Sequence, residues 1–165
     1  MSVIMMSDSD KNRYRDSAID ADANAILRML LQHRTVRAFR DAPMPEAALD
    51  LVLAAAQRAP TSSNMQSYCI VVVDDRDLRG AMCRLCGTQS FVAEYLALLV
   101  FCSDISRHVH ICAERGYVYR GDQVKTLLVA HGDAQLACQN ASIAAKSMGF
   151  GTCMLGNVRT TPRPL

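Results

Sequence analysis

The stretch RAPTSSNMQSYCIVVVDD, Arg58 to Asp75, changes character three times within a few residues, and the elements on either side follow from it. Pro60 ends whatever helix precedes it, because its ring blocks the helical hydrogen bond. Three consecutive hydroxyls, Thr61, Ser62 and Ser63, then Asn64 and Gln66, form a polar loop. The β-branched run that follows reads as a strand buried on both faces. Upstream, DAPMPEAALDLVLAAAQRAP places turn prolines at Pro43 and Pro45, then Leu49, Val52, Leu53 and Ala56 on one helical stripe. Downstream, a helical segment around Asp77 to Leu85 leads to LALLVFCSD, which repeats the character of the first strand.

Further out, ADANAILRMLLQH spaces Ile26, Met29 and Leu30 as an amphipathic helix that ends just before His33. A long helix is expected from about Asp122 to Ser147, then a break at Gly149 and Gly151 and a short strand through Cys153 to Leu155. Helices and strands interleave, so the class is α/β or α+β. Residues 1–21 are charged and aperiodic and read as a flexible tail, leaving one domain over 22–165.

With 165 residues, half of them hydrophobic, the chain can bury a substantial core. Eighteen basic residues stand against sixteen acidic ones without a basic block, which gives nucleic-acid binding little support. No apolar run reaches membrane-spanning length and the N-terminus lacks a signal-peptide core, so a cytoplasmic protein that does not enter the membrane is expected. The seven cysteines are odd in number and lie in apolar or helical segments, as reduced thiols do.

Two stretches carry chemistry. HRTVR, His33 to Arg37, offers two guanidinium forks, a hydroxyl and backbone N–H groups, the donor set that a phosphate monoester requires. Taken alone, it also reads as a surface loop with solvated cations. The loop TSSNMQ can hydrogen-bond the polar edge of a planar heterocycle, with Gln66 as both donor and acceptor, or it can be a polar turn.

Together, in this order, the two stretches resemble the nitroreductase family of flavoproteins, and within it the NADPH-dependent nitroreductase and flavin reductase group. DLRGAMCRLCGTQSFVAEYLALLVFCSDISRH and AQLACQNASIAAKSMGFGTCMLGNVR extend the likeness, which runs from about Ala25 to Thr161. The resemblance implies an α+β fold with a central mixed sheet flanked by helices, and FMN as cofactor. His33, Arg34, Thr35 and Arg37 fall on the element that holds the flavin phosphate, with Thr35 in place of a serine. Thr61, Ser62, Ser63 and Gln66 fall beside the flavin ring, and Gln89 on a glutamine that contacts its edge. Met154, Leu155, Gly156 and Asn157 match a turn over the ring, Asn157 standing where the family has a second glycine. The implied activity is reduction of nitroaromatics, quinones or free flavin by NAD(P)H, NADPH favoured, in a ping-pong cycle. The flavin would carry the chemistry, with no catalytic side chain and no metal. The implied partners are a small-molecule electron acceptor and a second copy of the chain.

The resemblance also implies further elements beyond NVRTTPRPL, so the fold is expected to be incomplete at its C-terminus, and a non-enzymatic remnant with weak or no FMN binding is the alternative function. Two other patterns have competing readings. Cys83 and Cys86 form a C-x-x-C, but within a helical pattern, so core thiols are the better reading than a redox pair. His108, His110 and Cys112 would share one face if RHVHIC were a strand and could then bind a metal, whereas the resemblance places them in a loop near the active-site mouth.

Overall fold

A computed structural model of the chain describes residues 23–39, 44–86, 97–121 and 123–156. Their elements run α1 (Ala25–Leu31), α2 (Glu46–Ala56), β1 (Tyr68–Val73), α3 (Arg76–Leu85), β2 (Leu98–Ser103), α4 (Ser106–Glu114) and α5 (Val124–Ser147), with one 3-10 turn at Ser62–Asn64. The tail at 1–21 and Pro43 lie outside the described residues.

Local chemistry sets most of these boundaries. Asn24 caps α1 by accepting a hydrogen bond from the Leu27 N–H at 3.0 Å, and Asp75 caps α3 through the Leu78 N–H at 2.8 Å. Pro45 occupies the N-cap position of α2, and Glu46 sets a negative charge in the first turn, where the helix dipole favours it. At the far end of α5, Gly149 takes φ +86°, Phe150 N–H bonds Ala145 O at 3.0 Å and Gly149 N–H bonds Lys146 O at 2.9 Å. That is a Schellman closure, and it folds Phe150 back onto the core.

The core is built on α5. Ala130, Ala134, Ala137, Ala141 and Ala145 recur every three or four residues and are all buried, so α5 presents a smooth seam of methyl groups. Val52 and Ala56 of α2 pack on this seam with Tyr68 of β1, while Ile70, Leu99 and Phe101 close in from the strands. Ala56 and Ala137 are completely buried. Asn140 fixes the register of the two helices by donating to the Ala55 carbonyl at 3.2 Å, beside the Arg58 N–H that the same oxygen accepts at 3.1 Å.

β1 and β2 pair antiparallel, Tyr68 opposite Ser103 through to Val73 opposite Leu98. The composition is α+β, and the described residues contribute a two-stranded sheet. Three expectations are corrected. β1 is not buried on both faces: α5 covers one side, and Val71 on the other remains 47% exposed. Among the described residues Cys153 to Leu155 form no strand; next to them, the Val36 N–H bonds Thr152 O at 3.0 Å. RHVHIC is neither strand nor loop but the body of α4. Two residues along a helix turn through about 200°, so His108 and His110 point apart. His108 reaches the Met65 carbonyl, and His110 pairs with Glu114 at 3.2 Å on the surface.

The close α2–α5 contact leaves no room for larger side chains. Ala137→Leu is expected to lower unfolding free energy by about 1–3 kcal/mol through overpacking, whereas Gln139→Leu on the exposed side should change it by less than about 0.5 kcal/mol. Urea denaturation of both variants measures the difference.

Candidate functional site

The segment after α1 is laid along the last turns of α5 and the turn that follows. The His33 N–H closes α1 on the Leu30 carbonyl at 3.1 Å, while its ring Nδ1 contacts Lys146 Nζ of α5. Three residues on, Val36 is seated against Gly151 so closely that a Cβ on that glycine would lie 2.8 Å from the valine side chain. The Arg37 charge acts on the neighbouring Cys153 thiol, whose pKa burial raises and Arg37 partly restores. Ser142 on α5 ties the same turn down through Thr152 Oγ1 at 3.0 Å. The structure thus brings His33, Arg34, Thr35 and Arg37 together with the turn bearing Met154, Leu155 and Gly156. Thr35, Arg37 and Met154 are exposed and Arg34 is half-buried. Gln89 and Asn157 lie outside the described residues.

The second segment is anchored thirteen residues earlier on α5, at Asp133 instead of Lys146. Ser63, Asn64 and Gln66 adopt φ of 52°, 54° and 53°, the left-handed region that side chains other than glycine rarely enter. Such a backbone persists only where its surroundings over-determine it. Asp133, on the buried stripe of α5 and 2% exposed, supplies the constraint. One of its oxygens accepts the Ser62 N–H at 3.0 Å and the other the Ser67 N–H at 3.1 Å, so a single carboxylate pins both ends of the loop. Ser62, Ser63, Asn64 and Gln66 are left at the surface, and Gln66 Nε2 donates to Asn64 Oδ1 at 3.2 Å.

Neither Asp133 nor Lys146 is among the residues predicted from sequence. A signal for Asp133 existed: a carboxylate three residues after Ala130 and four before Ala137 must be buried with them, and a buried charge needs donors. Lys146 had none, since a lysine in a last helical turn is ordinary dipole chemistry.

Cys86 is buried at the end of α3, and its thiol is pushed up first by burial and then by Cys83, as suits a protonated core thiol. None of the seven cysteines is disulfide-bonded. Among the described residues no three His, Cys, Asp or Glu side chains gather to hold a metal ion, and no helix is long and apolar enough to cross a membrane. Open grooves of about 350 and 570 Å³ lie between β2, α4 and the start of α5, and the candidate residues line neither. The two polar segments face open surface instead.

Residues 30–161 match the Nitroreductase family, to which the chain belongs. It is 36% identical over 138 residues to an FMN reductase (NADPH) of Bacillus subtilis, covering 82% of this chain and 55% of the relative. It is equally identical over 135 residues to an oxygen-insensitive NADPH nitroreductase of Salmonella typhimurium, covering 81% and 54%. A solved B. subtilis nitroreductase superposes with a TM-score of 0.80 at 35% identity, covering 81% of this chain and 55% of that one. The NADPH:FMN oxidoreductase of Vibrio harveyi, solved with NAD+, gives 0.79 at 30% identity, covering 84% and 58%. The fold is therefore the α+β fold of nitroreductases, and the chain spans little more than half the length of these relatives.

Two measurements test the anchors. Asp133→Asn turns a donor toward one of two backbone N–H groups and should lower stability by about 1.5–3 kcal/mol, read by chemical denaturation. His33 is held below its ordinary value of 6.5, first by burial and second by the Lys146 ammonium. The unfolded chain therefore takes up this proton first as pH falls, so His33 removes stability below about pH 6.5 and not above it. Lys146→Met should raise the His33 midpoint in an NMR pH titration, and an unmoved midpoint would contradict the contact.

Proposed function

We propose that this chain serves an FMN-dependent oxidoreductase that uses NAD(P)H, NADPH by preference, to reduce a small-molecule acceptor such as a nitroaromatic, a quinone or free flavin. The observation that carries this reading is the attachment of both family-matching segments to one rigid helix: a cationic, hydroxyl-bearing segment at its C-terminal end and a strained, hydroxyl-rich loop near its middle. The donor set fits FMN. Arg37, Arg34 and Thr35 supply charge-assisted and hydroxyl bonds for a phosphate, with Lys146 adding a cation from α5 and His33 a ring nitrogen. Thr61, Ser62, Ser63 and Gln66 supply donors for the acceptor-rich edge of a planar ring, and Gln89, Met154, Leu155, Gly156 and Asn157 complete the assignment.

FMN, when bound, supplies the hydride-accepting and hydride-donating chemistry, and access of one planar partner at a time makes the cycle ping-pong. The chain's own residues hold and orient the cofactor, and none needs to titrate in the reaction. Relatives named for NADPH support the nucleotide preference. Val124, Leu127 and Leu128, each more than 60% exposed on α5, suit cover by a second copy in a homodimer. Seven free thiols suit a cytoplasmic location.

Titration with FMN, followed by flavin fluorescence, tests the reading. Arg37→Ala should weaken binding by about 2 kcal/mol, roughly thirtyfold, and by more than Arg34→Ala. If the parent chain binds no FMN and oxidises no NADPH with menadione as acceptor, the alternative of a non-enzymatic remnant replaces this one.

A further inference from the structure

We propose that Arg107 and His108 of α4 are positioning residues for the flavin-site loop, holding it from the side opposite Asp133 by capturing its backbone carbonyls. The inference rests on the flavin reading of residues 61–67 given above.

The loop's bonds divide by polarity. Its N–H groups at Ser62 and Ser67 point to the Asp133 carboxylate, and its carbonyls at Met65 and Gln66 meet α4, while those of Thr61 and Ser62 are taken by the Asn64 and Met65 N–H groups within the loop. Arg107 Nη2 donates to Gln66 O at 2.8 Å and to Tyr68 O at 3.3 Å, and His108 Nε2 lies 2.7 Å from Met65 O. A carbonyl only accepts, so His108 must carry its proton on Nε2. The ring is steadied by stacking on Tyr119, with centroids 6.0 Å apart and planes inclined by 25°. Asp104 couples the helix to the loop: its N–H donates to Ser67 O at 3.0 Å, and its carboxylate accepts the Ser106 N–H at 2.8 Å at the start of α4. Sequence adjacency within SDISRH thus aims both donors at one turn.

Gln66 shows why this matters for a ligand. Its φ of 53° turns the carbonyl toward Arg107 while the side chain stays exposed beside Asn64. The same carbonyl also receives the Tyr68 N–H at 2.8 Å, so both of its lone pairs are occupied. With the Met65 and Gln66 carbonyls drawn to α4, the loop offers hydroxyls and amides outward at these positions instead of competing acceptors. The edge of an isoalloxazine ring is rich in acceptors and needs that arrangement. Without the α4 donors, Gln66 would relax toward negative φ and swing its carbonyl out.

The test separates hydrogen bonding from packing. His108→Phe keeps a ring for Tyr119 and removes the donor, whereas His108→Gln keeps an N–H at similar reach and removes the ring. FMN affinity should fall roughly tenfold in the Phe variant and stay within about threefold of the parent in the Gln variant. In the flavin-free chain, amide exchange at Ser62 and Ser67 should quicken in the Phe variant and not in the Gln variant, while far-UV circular dichroism stays as in the parent. Arg107→Lys, with one ammonium for two carbonyls, should fall between parent and His108→Phe. Parent-like affinity in the Phe variant, or equal losses in Phe and Gln, would overturn the inference and leave the flavin reading intact. A parent chain without FMN affinity removes the flavin reading itself, and this inference with it.

Discussion

The Asp133 carboxylate is the contact on which the rest of the arrangement depends. A buried charge is costly unless donors replace the water it gave up, and among the described residues its bonded partners are two backbone N–H groups from a loop more than sixty residues away in sequence. Those bonds serve two ends at once. They make the charge tolerable inside the alanine seam, and they hold a loop whose three left-handed residues would otherwise relax. Because the partners are main-chain groups, side chains in the loop remain at the surface. A lysine or arginine partner would have satisfied the charge without shaping the backbone.

Small residues make that contact reachable. The alanines of α5 let α2 and β1 approach closely enough for the start and end of the loop to meet one carboxylate, and Gly151 lets Val36 lie against the turn after α5. The helix therefore works as a straight rail with two fittings: Asp133 near its middle and Lys146 in its last turn. Rigidity between them comes from a hydrogen-bonded helix with a buried stripe, and loops attached to such an element keep their separation.

Much of this was legible in sequence, for identifiable reasons. The helix after Pro45, the strands at Tyr68–Val73 and Leu98–Ser103, and the long helix ending near Ser147 have strong periodicity or strong punctuation; the strands and the long helix form within two residues of expectation, and the first helix stops at Ala56, short of Pro60. The HRTVR and TSSNMQ stretches were recognisable because their donor chemistry is concentrated in a few adjacent residues. The resemblance places RHVHIC in a loop, with a strand weighed only as the condition for a metal site, because its alternation carries no helical signal; its helix starts at the Asp104 turn and docks on a distant loop. The short strand at Cys153 to Leu155 failed because strand formation needs a ladder, and pairing partners are invisible to local pattern. Buried polar contacts such as Asp133 with residues 62 and 67 join positions whose relation exists only once α5 and β1 are packed.

The two ends of the candidate site follow opposite electrostatic rules. At His33, burial first and the Lys146 ammonium second hold the imidazole toward its neutral form. On the proposed flavin reading, the cations of this segment would serve a phosphate. At residues 61–67 the charges lie behind the loop: the carboxylate of Asp133 on one side and the guanidinium of Arg107 on the other, each spent on backbone groups. What remains outward is neutral and hydrogen-bonding, and neutral donors can recognise a heterocycle without binding stray ions. On the same flavin reading, the first segment would meet the anionic end of the ligand and the loop its uncharged polar plane.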